Sequence, residues 1–379
     1  MAVPKIIDRP SRIAILSTYP PTQCGLATFS AALRKHLGPQ VDVVRVVEQP
    51  AARPSPEVVA NLVNGSASSA VHAVHRLNNY DAVIVQHEYG IFGGPDGAEI
   101  AELVDNLRVP TIVVLHTVLE QPTTRQREIL QQLIRSADAV VTMTATAQRR
   151  VIDRYGADPA TVRIIPHGAV NHHRVAGTPA SGARPLVLTW GLLGPGKGIE
   201  WAIEALPGLR DLNPRYLVLG TTHPRVLQLQ GETYRQGLSR RARELEVSDL
   251  LELDDSYLPV TDLFDVVASA DLVLLPYDSR EQVTSGVLIE AVAAGRPVVS
   301  TAFPHALELL CDGAGLVVPQ CDPAALGAAV RRVLTEPDLA QSMAACAAER
   351  APALFWDAVA ERYWELVDDL CAAALAPMS

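Results

Sequence analysis

Apolar residues fall along this chain in two rhythms. Short unbroken runs of Val, Ile and Leu alternate with longer stretches in which apolar positions recur every three or four residues. In the first half the runs are RIAILS (12–17), VDVVRVV (41–47), DAVIVQ (81–86), TIVVLH (111–116), AVVTM (139–143) and VRIIP (162–166). In the second they are PLVLTW (185–190), RYLVLG (215–220), LLELD (250–254), DLVLLP (271–276) and PVVST (297–301). Unbroken apolar strands are buried on both faces, and strands alternating with helices make parallel sheets covered on both sides. The pattern predicts two doubly wound α/β domains, 1–170 and 186–350. Between them NHHRVAGTPASGARP (171–185), rich in Gly, Pro and Ala, reads as a linker. The end of the chain, 351–379, reads as a helix packing back across the domains, with Phe355, Val359, Tyr363 and Leu366 on one face.

Composition narrows the function. At 379 residues the chain is too long for one ordinary core, and 48% hydrophobic against 20% charged residues supplies material for two. A formal net charge of -10 argues against a nucleic-acid binder, which normally shows a basic face. The only lysines are Lys5, Lys35 and Lys197, so each is worth reading. Five scattered cysteines without a CxxC pair argue against a disulfide framework or zinc site. No signal-peptide pattern opens the sequence, and the apolar runs are too short to span a bilayer, so a soluble cytoplasmic protein is expected.

In doubly wound sheets, ligands bind beyond the carboxyl ends of the strands. The first such loop, STYPPTQCGLATF (17–29), has Gly25 for a close backbone approach and Thr28 or Ser30 to cap the helix that follows. Exposed amides there attract phosphate or sugar hydroxyls, although an ordinary Pro/Gly turn explains the loop equally well. Neither GxxxxGK[ST] nor GxGxxG is present, which counts against a P-loop enzyme and a dinucleotide dehydrogenase. After the third run, HEYGIFGGPDG (87–97) offers His87, Glu88 and Tyr89 for acceptor binding, before glycines expected to form a mobile lid or a close ligand contact. His116 ends the next strand with its ring directed at the hollow. His87 and His116 lack a third ligand at useful spacing, so no metal is expected.

In the second half, Lys197 lies in the turn of GLLGPGKG (191–198), where it can reach a phosphate as a point charge beside a helix dipole. Glu290 interrupts the apolar run VLIEAVAAG (287–295), where an unpaired carboxylate is costly. Thr284 or Ser285 would cap a helix beginning near Gly286, placing Glu290 about one turn inside on a face with Val287. There it would be satisfied by an arginine or by a diol such as a ribose. Gln282 would overhang the same hollow beside the amides of Ser285 and Gly286. Base and ribose deep, diphosphate at the helix start and Lys197: the arrangement has the shape of a nucleotide sugar.

With these residues assembled, the chain resembles a retaining glycosyltransferase of the GT-B fold, in the large family 4 group. QVTSGVLIEAVAAGRPVV (282–299) is similar to that family's E-x7-E segment and EAMAxGxPVV, GLLGPGKG to its GRLxxxKG. YPPTQCGLATF, LHT and IIPHGAV are similar to its glycine loop, strand-end His and interdomain signature. The resemblance implies two Rossmann-like domains facing each other across a cleft. It also implies Glu290 on the nucleotide ribose, Lys197 on the diphosphate, Gly25 near donor and acceptor, and His116 near the transferred sugar. Two positions depart from the family: Gln282 replaces the first Glu, with Glu281 one residue early, and Leu192 replaces the Arg beside the lysine. Arg225 and Arg280 are the candidate substitutes.

The expected reaction is metal-independent transfer of a hexose, with retention, from a GDP or UDP sugar to a hydroxyl acceptor such as a glycan or small alcohol. Frequency within the family leans toward GDP-mannose, and no separate cofactor is implied. Lys197 with the amides of Ser285, Gly286 and Val287 would stabilise the leaving diphosphate, while His116 and Gln282 orient the sugar. Alternatives are a non-catalytic nucleotide-sugar-binding protein, in line with Gln282 and Leu192, and a GT-B epimerase. A pyridoxal-phosphate phosphorylase is weakened by the lack of a second suitable lysine.

Overall fold

The computed structural model describes residues 11–171 and 184–375. Most of the expected linker, 172–183, lies outside the described residues. The chain divides into two compact units, Met1–Gly168 with Trp356–Ser379, and Ala169–Phe355.

The first unit holds a seven-stranded sheet in the order β3-β2-β1-β4-β5-β6-β7. Its strands are β1 Ile13–Ser17, β2 Val41–Val47, β3 Val58–Val63, β4 Ala82–His87, β5 Thr111–Leu115, β6 Ala139–Thr142 and β7 Val162–Ile164. The second unit holds a six-stranded sheet in the order β10-β9-β8-β11-β12-β13. These are β8 Leu186–Trp190, β9 Arg215–Leu219, β10 Leu251–Asp254, β11 Leu272–Leu275, β12 Val298–Thr301 and β13 Gly315–Val318. Every pairing is parallel. Strand side chains alternate between two helix-covered cores, as the unbroken apolar runs require. In the second unit Leu188, Leu217, Val273 and Leu275 enter one cluster, and Val187, Val218, Leu272 and Leu274 enter the other.

Two strands were absent from the sequence expectation, and both are sheet edges. β3 alternates buried and half-buried residues, and β13 is half-buried throughout with a glycine at its start. An edge strand needs no unbroken apolar run, which removes the signal used to find the others.

The expected domain limits also shift. Ala169 donates its N–H to the Leu354 carbonyl at 2.7 Å and bridges Phe355, which ties the IIPHGAV segment's last residues to the second unit. The C-terminal region is not one helix over 351–379. The helix Pro337–Leu354 ends at Phe355, whose backbone is extended (φ -68°, ψ 145°), and a new helix Trp356–Leu375 follows. Phe355 therefore does not share a face with Val359, Tyr363 and Leu366. Those three are buried, and the indole N–H of Trp364 donates to the Leu37 carbonyl at 3.1 Å, fixing the last helix to Gly25–Leu37 of the first unit.

In each sheet the winding direction reverses once, between β1 and β4 and between β8 and β11. Successive crossovers diverge there, so the loops after those strands open a hollow.

Candidate active site

In the first unit the loop after β1 leads into the helix Gly25–Leu37. Cys24 caps that helix, in place of the expected Thr28 or Ser30: its Sγ accepts the Ala27 N–H at 3.3 Å and lies 3.3 Å from the Thr18 hydroxyl. Thr28 and Ser30 turn elsewhere, their hydroxyls donating to the Cys24 carbonyl at 3.3 Å and to Ser17 Oγ at 2.7 Å. Gly25 is the first helical residue, and the space where a Cβ would stand is open for 4 Å.

His116 follows β5 directly. Its Nε2 lies 2.7 Å from Oε1 of the fully buried Gln86. With that oxygen facing the ring, Nε2 carries the proton and donates, leaving Nδ1 as an acceptor. The ring meets Phe29 edge-on at 4.8 Å, and Phe29 in turn meets His167 at 4.9 Å and Trp356 at 5.1 Å. Burial, with His167 and His87 nearby, holds His116 far below the ordinary histidine range, so it is neutral at pH 7. His167, whose Nδ1 donates to the Gly168 carbonyl at 2.7 Å, is lowered by burial to about 4.

Of the three expected acceptor-binding residues, only Glu88 is partly exposed. Glu88 is half-buried and accepts from the Thr117 hydroxyl; burial raises its carboxyl. His87 is fully buried, set edge-on to Tyr89 at 4.9 Å, and lowered by burial to about 4. Tyr89 is 8% exposed and donates its hydroxyl to the Gln126 carbonyl at 3.2 Å. As the last residue of β4 and the one two beyond it, they pack rather than present. The glycine-rich loop behind them is braced: Glu99 reaches back to accept the Gly65 N–H at 2.9 Å and lies against Gly93. Gly93 and Gly97 serve this close packing, a Cβ at Gly97 lying 2.7 Å from the Tyr89 carbonyl, while Gly90 has open space around it.

In the second unit the loop Gly191–Gly198 lies between β8 and the helix Ile199–Ala205. Lys197 extends over the ring of Tyr277, Nζ 4.2 Å from its centroid. Tyr277 is itself buried and stacks on Phe303 at 5.0 Å. The loop after β11 is tied to the lysine turn, since Asp278 donates its N–H to the Gly196 carbonyl and accepts from the Trp201 indole, both at 3.2 Å. Arg225 is exposed at the start of the helix Pro224–Gln230. Its N–H donates to His223 Nδ1 at 3.2 Å, and burial together with the charges of Lys197 and Arg225 lowers that imidazole. The two cations thus share one rim.

Ser285 caps the helix Gly286–Ala293, its Oγ accepting the Leu288 N–H at 3.2 Å. One expected phosphate donor is taken, however: the Ser285 N–H goes to Nδ1 of the buried His305 at 2.8 Å. Gly286 and Val287, the first two helical residues, lie where amides have no intrahelical acceptor. The Gln282 side-chain amide is turned onto its own loop, donating to the Thr284 carbonyl, while its backbone carbonyl accepts the His305 N–H at 3.4 Å. Glu290 is half-buried, and no basic side chain pairs with it among the described residues. Its Oε2 has only a long contact, 3.4 Å, to the Val170 N–H, and burial pushes the carboxyl up to about 8.

Four contributors were missed in the sequence: Gln86 behind His116, Tyr277 beneath Lys197, and Phe303 with His305 after β12. The last two were within reach of the strand-end rule, which stopped short of the FPHA segment. Among the described residues no cluster of three His, Cys, Asp or Glu side chains could hold a metal ion, and no helix is long and apolar enough to cross a membrane.

Two parallel sheets, each with ligand-facing loops at its reversal, make this a GT-B glycosyltransferase fold. The family model for Glycosyltransferase Family 4 matches residues 25–170, and that for Glycosyl transferases group 1 matches residues 184–336. The chain belongs to this glycosyltransferase family. It is 29% identical over 331 residues to the D-inositol 3-phosphate glycosyltransferase of Kineococcus radiotolerans, covering 78% of this chain and 72% of that one. It is 32% identical over 233 residues to the glycogen synthase of Mycobacterium tuberculosis, covering 60% and 53%. Among solved structures, Anabaena Alr3699/HepE in complex with UDP and glucose superposes with TM-score 0.77 at 17% identity, covering 95% of this chain and 100% of that one. Sucrose-phosphate synthase from Thermosynechococcus elongatus gives 0.75 at 20%, covering 96% and 100%.

Proposed function

We propose that this chain is a retaining hexosyltransferase, moving a hexose from a nucleoside-diphosphate sugar to a hydroxyl acceptor without a divalent ion. Glu290 carries the donor half of this reading. A half-buried carboxylate with no basic partner and a carboxyl pushed up to about 8 is costly unless a donor comes to it. A ribose diol supplies two hydroxyls and favours the ionised form. The diphosphate would then lie on the Gly286 and Val287 amides, with Lys197 and Arg225 supplying positive charge, in the preorganised arrangement that stabilises a leaving anion. Structures of Anabaena HepE with UDP-glucose, among the fold's neighbours, support a uridine donor and glucose over GDP-mannose.

His116 is neutral, with Nε2–H engaged by Gln86, and would offer Nδ1 to a sugar hydroxyl. Gln282 retains Oε1 for another. Glu88 would accept from the incoming hydroxyl. The orientation of the Gln282 amide onto its own loop, with Leu192 in place of an arginine, favours one second reading: a protein that binds nucleotide sugars without turnover.

Binding and turnover separate the two. Calorimetry with UDP and GDP is expected to show binding of one of them, weakened at least about tenfold by Glu290→Gln, the loss of one charge-assisted hydrogen-bond pair. Incubation with radiolabelled UDP-glucose or GDP-mannose is then expected to release labelled sugar to acceptors or slowly to water. Binding without release selects the non-catalytic reading, and an epimerised donor selects a GT-B epimerase. Failure to bind either nucleotide overturns the assignment of Glu290.

A further inference from the structure

The segment after β12 lies behind both halves of the proposed diphosphate site. Phe303 backs Tyr277, which carries Lys197. His305, 3% exposed, makes two bonds to one loop: Nδ1 accepts the Ser285 N–H at 2.8 Å, and its own N–H donates to the Gln282 carbonyl at 3.4 Å. A ring nitrogen that accepts from an amide carries no proton, which sets His305 as the neutral Nε2–H tautomer.

Ser285 is the residue from which the helix Gly286–Ala293 springs. Its backbone is extended (φ -135°, ψ 108°), and the residue is 5% exposed. By accepting the Ser285 N–H, His305 fixes the plane of the peptide leading into the helix. The next two amides, those of Gly286 and Val287, inherit their direction from it. Withdrawing the Ser285 amide from the site also defines which donors remain for an anion.

We propose that His305 is a positioning residue: it aims the Gly286 and Val287 amides at the terminal phosphate of a bound nucleoside diphosphate. This rests on the reading of the donor site given above. The effect should be confined to that phosphate, because the ribose is assigned to Glu290, one turn further along and independent of the Ser285 peptide.

The test crosses volume with hydrogen bonding. His305→Phe keeps the ring and deletes the acceptor; His305→Asn loses volume but keeps an acceptor atom, Oδ1, near the place of Nδ1. Binding of UDP and UMP, and of GDP and GMP, is measured for each full-length variant, with circular dichroism melts to verify folding. The expected result is that the wild type prefers the diphosphate, that Phe reduces the preference about tenfold with little change for the monophosphate, and that Asn restores it to within about twofold. Equal weakening of mono- and diphosphate by Phe, or a collapsed preference in the Asn variant, overturns the positioning role while the donor-site reading stands. Should the Phe variant not fold, the Asn variant decides alone: wild-type preference supports the role and a lost one overturns it. A wild-type protein that binds none of the four nucleotides removes the donor site and this inference together.

Discussion

The hollows at the two sheet reversals are built from different materials. In the first unit the walls are rings: Phe29, His116, His167 and Trp356 stand edge to face, and the glycine that opens the helix has empty space around it. In the second the walls are main chain, with glycines pressed against neighbouring carbonyls and one carboxylate left without a charged partner. The same topology thus yields one site whose shape is held by side-chain packing and another whose shape is held by backbone conformation. The first kind tolerates changes in its glycine loop; the second does not. Two of their ionisable groups also shift in opposite directions: burial keeps His87 in the first unit from gaining a proton and Glu290 in the second from losing one.

The glycine loops give the largest predicted contrast. Gly198 sits at φ +60°, and a Cβ there would stand 2.0 Å from the Pro276 carbonyl oxygen. Left-handed backbone strain and a backbone clash together cost about 4 kcal/mol. Gly198→Ala is therefore expected to unfold the second unit's lysine turn, visible as a large drop in melting temperature and loss of nucleotide binding. Gly25→Ala, where nothing lies within 4 Å, is expected to change stability by less than about 0.5 kcal/mol. Comparable melts for the two variants would erase the distinction between the hollows.

Opposite pH responses sharpen it further. His87 is near 4 in the folded protein against an ordinary 6.5, so the unfolded chain binds more protons between these values. Stability contributed by the neutral imidazole is complete above pH 6.5 and is lost as pH falls toward 4. Glu290 works the other way. Its carboxyl is near 8 folded against 4.5, so the folded state holds the proton longer and stability falls as pH rises from 4.5 to 8. Over these windows His87 is worth roughly 3 kcal/mol and Glu290 roughly 5 kcal/mol. In melts from pH 4 to pH 9, His87→Phe should flatten the acid side and Glu290→Gln the alkaline side, without crossing over. A variant that flattens the wrong side would mean that its parent group titrates in the ordinary range.

How far the sequence led can be argued from these residues. The nine interior strands were legible because burial on both faces leaves an unbroken apolar run. Of the four edge strands, β7 and β10 still carry short apolar runs, whereas β3 and β13 were missed because their half-buried residues gave no such signal. Lys197 and Glu290 stood out as chemical exceptions, a rare lysine among glycines and a carboxylate among aliphatics. His87 and Tyr89 misled for the same reason: polar atoms in a ligand-facing loop look alike in sequence whether they face the hollow or the core. Strand order is not written locally at all, so the reversals that select which loops matter could not be read. Nor could the Ser285–His305 bond, which joins residues twenty apart across a helix and a strand.

The smallest predicted effect concerns the seat of Lys197, and it bears on whether the backbone-built hollow has any side-chain support. Tyr277 presents its ring face to Nζ at 4.2 Å, while its hydroxyl has no protein partner among the described residues. A cation over an aromatic face at a partly desolvated site is worth about 1 kcal/mol. Tyr277→Phe keeps the face and removes only a buried hydroxyl that makes no bond, so diphosphate binding should be unchanged and stability equal or slightly higher. Tyr277→Leu removes the face, and the affinity for UDP or GDP should fall roughly fivefold, with monophosphate binding less affected. If Leu binds as tightly as Phe, the lysine is positioned by its flanking glycine turn alone, and the second hollow is a backbone construction without exception.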